Sequence, residues 1–208
     1  MTTLTATRGE RTRAEIVQAA HRLFLCQGYH GTSMRQIAAQ AGIALGGIYN
    51  HFASKEDIFI AVLVEGHPFH DIMPLLLAAE GETIEAFIRD SATRMVAITQ
   101  NQTKYLNLMF IELVEFEGKH LPQIFKVFFP GVVTFSQRFV EGKAELRPIP
   151  LMILVRAFIG LFFSYIMTDL IIGEQLPPEM GENALEHFVE IFLHGVLLSE
   201  SHPEGGHG

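Results

Sequence analysis

Between Gly28 and Ser54 the chain is interrupted so often that only short helices fit, and no other segment limits the fold as strongly. Gly28, Gly31, Gly42, Gly46 and Gly47 all fall within this stretch, where glycine punctuates regular structure. The pieces between the breaks still carry helix signals. Thr32 or Ser33 can cap a helix over about 34–40, and Gly42 breaks it. A second short helix fits about 44–51. Ser54 caps a third, with Glu56 and Asp57 in its first turn, where the helix dipole favours acids. It runs to about 65. Upstream, Ile16, Ala20, Leu23 and Phe24 repeat at helical spacing over 12–27, and Gly28 ends that run.

Downstream the breaks are wider apart. Gly66 and Pro68 interrupt the chain before a helix of 69–79. Helices follow over about 82–100, 103–117, 122–141, 150–172 and 182–199, the third of these bent at Pro130-Gly131. Alternating strand runs and Asn-Gly or Asp-Gly hairpin signals are missing. The expectation is an all-α chain of about nine helices, with a glycine-rich tail, 200–208, expected to be disordered. The tail's His202 and His207 read as incidental.

The 150–172 helix is apolar enough to raise the question of a membrane span. Arg156 and Asp169 interrupt it, and the uncharged run 157–168 would cover only about 18 Å of about 30 Å of hydrocarbon. A buried interface helix, covered by a second subunit beside 182–199, is the better expectation, and no membrane partner is expected. The single cysteine, Cys26, leaves no intrachain disulfide framework and no multi-cysteine zinc site. The first fifteen residues are polar, unlike a secretory signal, which points to a cytoplasmic protein.

The formal net charge is −8, but it is unevenly placed. Residues 1–57 carry a net +2 and residues 58–208 a net −10. A mildly basic head on an acidic body confines any polyanion partner to the head. There, Ile37, Ala38 and Ala41 supply an inner face for a first short helix, and Gly42 a permissive turn. Ile48 and Phe52, at i and i+4, anchor a second. Leu45, Gly46, Gly47, Tyr49, Asn50 and His51 are left for its outer face, the arrangement a helix-turn-helix needs to enter a major groove.

At this point the sequence resembles the tetracycline-repressor (TetR/AcrR-type) family of bacterial transcription regulators. The matching stretch runs from Arg11 to about Leu63. Its specific pieces are AAHRLF at 19–24, GYHGTSMRQIA at 28–38, AG at 41–42, GGIYNHF at 46–52 and SKEDIF at 54–59. The resemblance implies a DNA-binding head over 1–53, a helical ligand-binding and dimerisation body over 54–199, and a homodimer formed through the helices of about 150–172 and 182–199. It implies DNA contacts at Thr32, Ser33, Arg35, Gln36, Leu45, Gly46, Gly47, Tyr49, Asn50, His51 and Lys55. In this reading Thr32 and Ser33 cap the first short helix and touch a phosphate. Tyr49 sets its hydroxyl on a phosphate and its ring on a methyl or sugar. Lys55 holds a phosphate, and Arg8, Arg11 and Arg13 form an N-terminal arm. The sequence departs from the family at Ala44 and Leu45, where a hydroxyl cap and a lysine are common. With Gly46-Gly47 lowering helix propensity, recognition is expected to lean on shape and phosphates, and the operator sequence is not readable.

The body is rich in Phe and Met, which suits an apolar or amphipathic effector. Candidate pocket residues are His67, His70, Met95, Tyr105, Met109, Phe110, Glu112, Phe125, Phe128, Phe129, Phe158 and Phe162, with core filling as the simpler role for any one of them. Glu112 can meet a ligand, pair with Arg94, Lys104 or Arg156, or face water. His67, His70 and Asp71 share helical spacing, but Pro68 lies among them, so no metal and no cofactor is expected. No nucleophile elbow, P-loop, dinucleotide fingerprint or His-Glu-x-x-His motif is present, and no enzyme is expected. The resulting expectation is a ligand-responsive repressor released from a palindromic operator. The alternative is a helical small-molecule-binding module with weak or no specific DNA binding.

Overall fold

A computed structural model describes residues 7–99, 103–141 and 146–197. The described residues are helical: α1 (Arg8–Gln27), α2 (Met34–Gln40), α3 (Leu45–Ile48), α4 (Lys55–Glu65), α5 (Phe69–Leu77), α6 (Ile84–Thr99), α7 (Thr103–Glu115), α8 (Leu121–Glu141), α9 (Leu151–Ile172), α10 (Pro178–Gly181) and α11 (Ala184–Val196). Nine of these have seven residues or more; α3 and α10 are single turns, and a 3-10 turn, Gly173–Gln175, follows α9. The tail expected to be disordered lies outside the described residues.

Two compact units result. One takes the described parts of Met1–His70 and Gln102–Phe128, the other those of Asp71–Asn101 and Phe129–Gly208. The first unit extends well past the boundary at 53/54 expected from sequence. Its core joins Ile16, Ala20 and Phe24 of α1, Ile37 and Ala38 of α2, Ile48, Phe52, and Ile58, Phe59, Val62 and Leu63 of α4 with Leu108 of α7 and Ile124 of α8. The apolar face of α4 is thus spent on the head's own core, which ties that helix to the head.

The second unit is built on phenylalanine. Phe158 and Phe162 of α9 meet at a tilt with ring centroids 4.8 Å apart, and Phe158 meets Phe192 of α11 at 5.5 Å and Phe135 of α8 at 5.6 Å. Phe87 of α6 closes the group against Phe135 and Phe139. Arg89 of α6 pairs with Glu186 and Glu190 of α11, and Arg138 donates to the carbonyls of Leu77 and Ala79 at 2.8 and 2.9 Å. Lys55–Leu77 and Leu151–Gln175 are each long and apolar enough to cross a membrane by length and composition. The first is not one helix, because the chain breaks between α4 and α5. The second buries Leu154, Val155, Phe158, Phe162 and Ile166 in its unit's core and exposes Arg156 and Asp169.

Two local expectations are corrected. Helix α1 starts at Arg8, not near residue 12, because Thr7 and Glu10 form a reciprocal cap: Thr7 Oγ1 accepts from Glu10 N–H, and Glu10 Oε2 accepts from Thr7 N–H at 2.7 Å. Those bonds hold the Glu10 carboxyl below its usual pKa. Arg8, Arg11 and Arg13 therefore ride on a helix rather than a loose arm. The expected 44–51 helix is only Leu45–Ile48, followed by a turn, since Ala44 makes no side-chain cap bond and two glycines follow. Helix α8, with Pro130 inside it, matches the expected 122–141 element to within a residue.

Candidate nucleic-acid interface and effector-pocket residues

The connection between α2 and α3 depends on Gly42, whose φ of 70° lies in the left-handed region. It lets the chain reverse while Gly42 N–H and Ile43 N–H bond back to Ala39 O and Ala38 O. Ile37 and Ile48 are fully buried on either side of this turn and lock the two helices to α1. At the start of α2, Ser33 is the cap. Its Oγ accepts from Gln36 N–H, and Gln36 Oε1 accepts from Ser33 N–H at 2.8 Å and from the Ser33 hydroxyl at 2.7 Å.

Thr32 is expected to reach a phosphate through its hydroxyl or its backbone N–H, and the hydroxyl is turned inward. Thr32 is buried, and its Oγ1 donates to Gly28 O at 2.8 Å and accepts from Gln27 Nε2. Lys55 is also drawn inward. Its Nζ donates to Tyr29 O and Thr32 O, both at 2.7 Å, and stands 4.1 Å from the Tyr29 ring centroid. Burial lowers its pKa, with Glu115 opposing. Lys55 therefore pins the loop before α2, and a phosphate is left at most its third N–H. Lys55→Met should lower head stability by about 1–3 kcal/mol, the cost of taking the ammonium donor from Thr32 O and leaving Tyr29 O with the Thr32 N–H. Thermal unfolding followed by circular dichroism checks this; an unchanged midpoint would remove the pinning role.

The remaining head residues form an open surface. Arg35, Gln36, Leu45, Gly46, Tyr49 and Asn50 are exposed, and Gly47 and His51 are half-buried. Tyr49 is 54% exposed just past α3. A Cβ added at Gly46 or Gly47 would meet no protein atom within 4 Å. The protein's own packing thus gives no reason for glycine at either place, although each costs helix stability.

The candidate effector-pocket residues are divided between the two units. His67, Tyr105 and Phe128 cluster in the first unit, with the His67 ring 4.6 Å from Tyr105 and 4.3 Å from Phe128. Burial, and secondarily His70, pushes the His67 pKa down to about 4. Its Nδ1 accepts from Phe69 N–H at 3.0 Å, whereas His70 Nε2 lies 2.9 Å from Val64 O. These two rings are turned to different partners. Tyr105 is likewise buried, which raises its phenol pKa above the usual value. Met109 packs against the head core. Phe110, Phe125 and Phe129 are exposed, and Met95, Phe158 and Phe162 are core residues of the second unit. Glu112 is fully buried, and its carboxylate bonds to His120, a partner not weighed from sequence. A shallow, open concavity of about 420 Å³ lies on α9 along Phe163, Ser164, Met167, Thr168, Ile171 and Ile172.

Sequence alone places Glu56 in a helical first turn and singles out neither Lys119 nor His120. Glu56 Oε1 lies 2.6 Å from Lys119 Nζ and 2.9 Å from His120 Nε2. The only linear clue was a glycine turn at 118 between an acid and a histidine eight residues apart. Such a reversal brings the two together only once α8 has packed.

A short capped helix, a left-handed glycine turn and a second short helix with an open outer face, all set on a longer α1, define a helix-turn-helix regulatory protein. The family model "Bacterial regulatory proteins, tetR family" matches residues 16–62. UidR of Escherichia coli (strain K12), an HTH-type transcriptional regulator, is 36% identical over 150 residues, covering 68% of this chain and 72% of UidR. A crystal structure described as a TetR-family transcriptional regulator from Mesorhizobium loti superposes with a TM-score of 0.70 at 22% identity, over 93% of this chain and 100% of that one. NalD of Pseudomonas aeruginosa, described as the secondary repressor of the MexAB-OprM multidrug efflux pump, superposes with a TM-score of 0.59 at 25% identity, over 91% and 98%. The chain belongs to the TetR family of bacterial transcriptional regulators.

Proposed function

We propose that this chain is a homodimeric repressor that leaves a palindromic operator when an apolar or amphipathic small molecule binds. The observation that carries the DNA side is the open outer face of the helix-turn-helix. Arg35, Leu45, Tyr49 and Asn50 are exposed there, and Gly46 and Gly47 have no packing reason to be glycine. Glycine at those places permits close approach of a DNA backbone. Ser33 and Gln36 preset the N-terminus of α2, whose free N–H groups favour a phosphate. Lys55 supports the same surface from behind. NalD's description as a repressor favours that sign of regulation.

Exposed apolar residues support the dimer. Phe163, Ile171 and Ile172 of α9 and Ile191 of α11 are all exposed. A second copy packing α9 and α11 against its own pair would remove them from water. On the effector side, the His67–Tyr105–Phe128 cluster supplies an aromatic wall with an uncharged imidazole, suited to an apolar or amphipathic molecule. Release follows if that molecule binds unequally to the DNA-competent and DNA-incompetent states.

The test is a selection of bound fragments from a random duplex library at two salt concentrations. The expected result is a two-fold symmetric site whose binding weakens steeply with salt. A folded dimer that enriches nothing at either salt would favour the small-molecule-binding module.

A further inference from the structure

The polar cluster inside the head has no part in the reading above. The His120 side chain is 1% exposed. Its Nδ1 lies 2.8 Å from Glu112 Oε2 and its Nε2 2.9 Å from Glu56 Oε1, while its backbone N–H donates to Glu112 Oε1 at 2.6 Å. An ionised carboxylate only accepts hydrogen bonds, and a neutral imidazole has one N–H to give. With a neutral ring, one nitrogen lone pair would face a carboxylate lone pair. The geometry therefore calls for one proton more than a neutral imidazole and two carboxylates provide. An imidazolium between them also supplies the countercharge that the fully buried Glu112 carboxylate needs.

The groups around the ring are few. Glu56 and the Phe59 ring face it from α4, Glu112 from α7, and the Phe116 ring from just past α7. Lys119, in the turn before α8, reaches Glu56 and holds its carboxyl below the usual pKa, with His120 adding to the effect. Next out are Tyr29, Asp57, Glu115 and His30. The Tyr29 phenol is kept un-ionised first by burial and then by Glu56, Glu115 and Asp57. Glu115 Oε2 lies 2.9 Å from the exposed His30 Nε2, too poorly aligned for a hydrogen bond.

The position of Glu56 gives the cluster its reach. The residue before it, Lys55, grips Tyr29 O and Thr32 O immediately ahead of the α2 cap. Adjacent residues of α4 thus hold the helix-turn-helix on one side and the α7–α8 turn on the other. We propose that His120 is a proton-operated latch that ties the first turn of α4 to α7 and α8, and whose deprotonation frees Glu56 and loosens the Tyr29–Ser33 segment leading into α2. The release falls on the Glu56 side. Glu112 is buried with no solvent to turn to, whereas Glu56 is partly exposed and keeps Lys119 as a partner. The bearing of the latch on DNA affinity rests on the regulator reading; the latch itself does not.

Nuclear magnetic resonance of the full-length protein, labelled with nitrogen-15, tests the latch without DNA. His120→Gln identifies the ring signals, and Glu56→Gln supplies an amide N–H that a neutral Nε2 can accept. At about pH 6 the wild type should show two slowly exchanging His120 ring N–H groups. Towards about pH 9 the Nε2–H should be lost and the Nδ1–H retained, while the amides of Tyr29–Ser33 shift in step. Glu56→Gln should show one ring N–H throughout and no such shifts. A single ring N–H in the wild type at the lower pH overturns the proposal, as do identical Tyr29–Ser33 shifts in the two proteins. On a selected duplex, wild-type affinity should fall about fivefold more than that of Glu56→Gln over the same range. Equal falls, with the ring behaving as expected, would overturn the coupling to the head while leaving the regulator reading intact.

Discussion

Replacing Phe59 by alanine should destabilise the head by about 3–5 kcal/mol, the usual cost of emptying a large aromatic site in a core that cannot collapse around it. Phe59 is fully buried, and its ring meets Phe24 of α1 at 5.4 Å, Tyr29 at 5.4 Å and Phe116 at 5.0 Å. These partners sit on α1, on the loop before α2 and beside α7, so no single element can move in to fill the space. For a chain of this length the loss corresponds to roughly 10 °C in the unfolding midpoint. Phe59 has no place in the phenylalanine core of the second unit. The early part of the transition, followed by circular dichroism, should therefore separate from the rest. A shift of under about 2 °C would mean that the aromatic cluster is not the head's keystone.

Tyr49→Ala should leave stability almost untouched and weaken binding to the selected duplex at least about tenfold, or about 1.4 kcal/mol. The ring is 54% exposed, so its removal opens no cavity. If the proposed surface is right, the ring and hydroxyl are spent on sugar and phosphate, and their loss should weaken all sequences alike and flatten the salt dependence little. Fluorescence anisotropy on the selected duplex measures it, with the unfolding midpoint as the control. Unchanged affinity at an unchanged midpoint would move the interface off α3.

Much of this was legible in the linear sequence because it is local. Helix ends at Gly28, Ser33, Gly42 and Ser54 follow from caps and turns that involve residues at most five apart. The apolar spacing of Ile37, Ala38, Ile48 and Phe52 faces inward as periodicity requires. The start of α1 was misread because Thr7 and Glu10 form a cap ahead of the first apolar residue. The length of α3 was overestimated because a pattern can mark a helix face without making two glycines helical. The pocket residues were the least legible. A phenylalanine looks the same in sequence whether it is Phe158 in a core or Phe125 on a surface.

By itself the sequence determined an all-α chain, the family and the position of the helix-turn-helix, since short-range backbone chemistry is enough for each. Only the tertiary structure decided that α4 and α7 belong to the head core. It also turned Lys55 and Thr32 inward, and set His120 between Glu56 and Glu112. The physical reason is that burial and the pairing of charges are properties of residues far apart in the chain. Glu56 and His120 are separated by 64 positions and acquire a common chemistry only when the packing of apolar side chains has excluded water from the space between them.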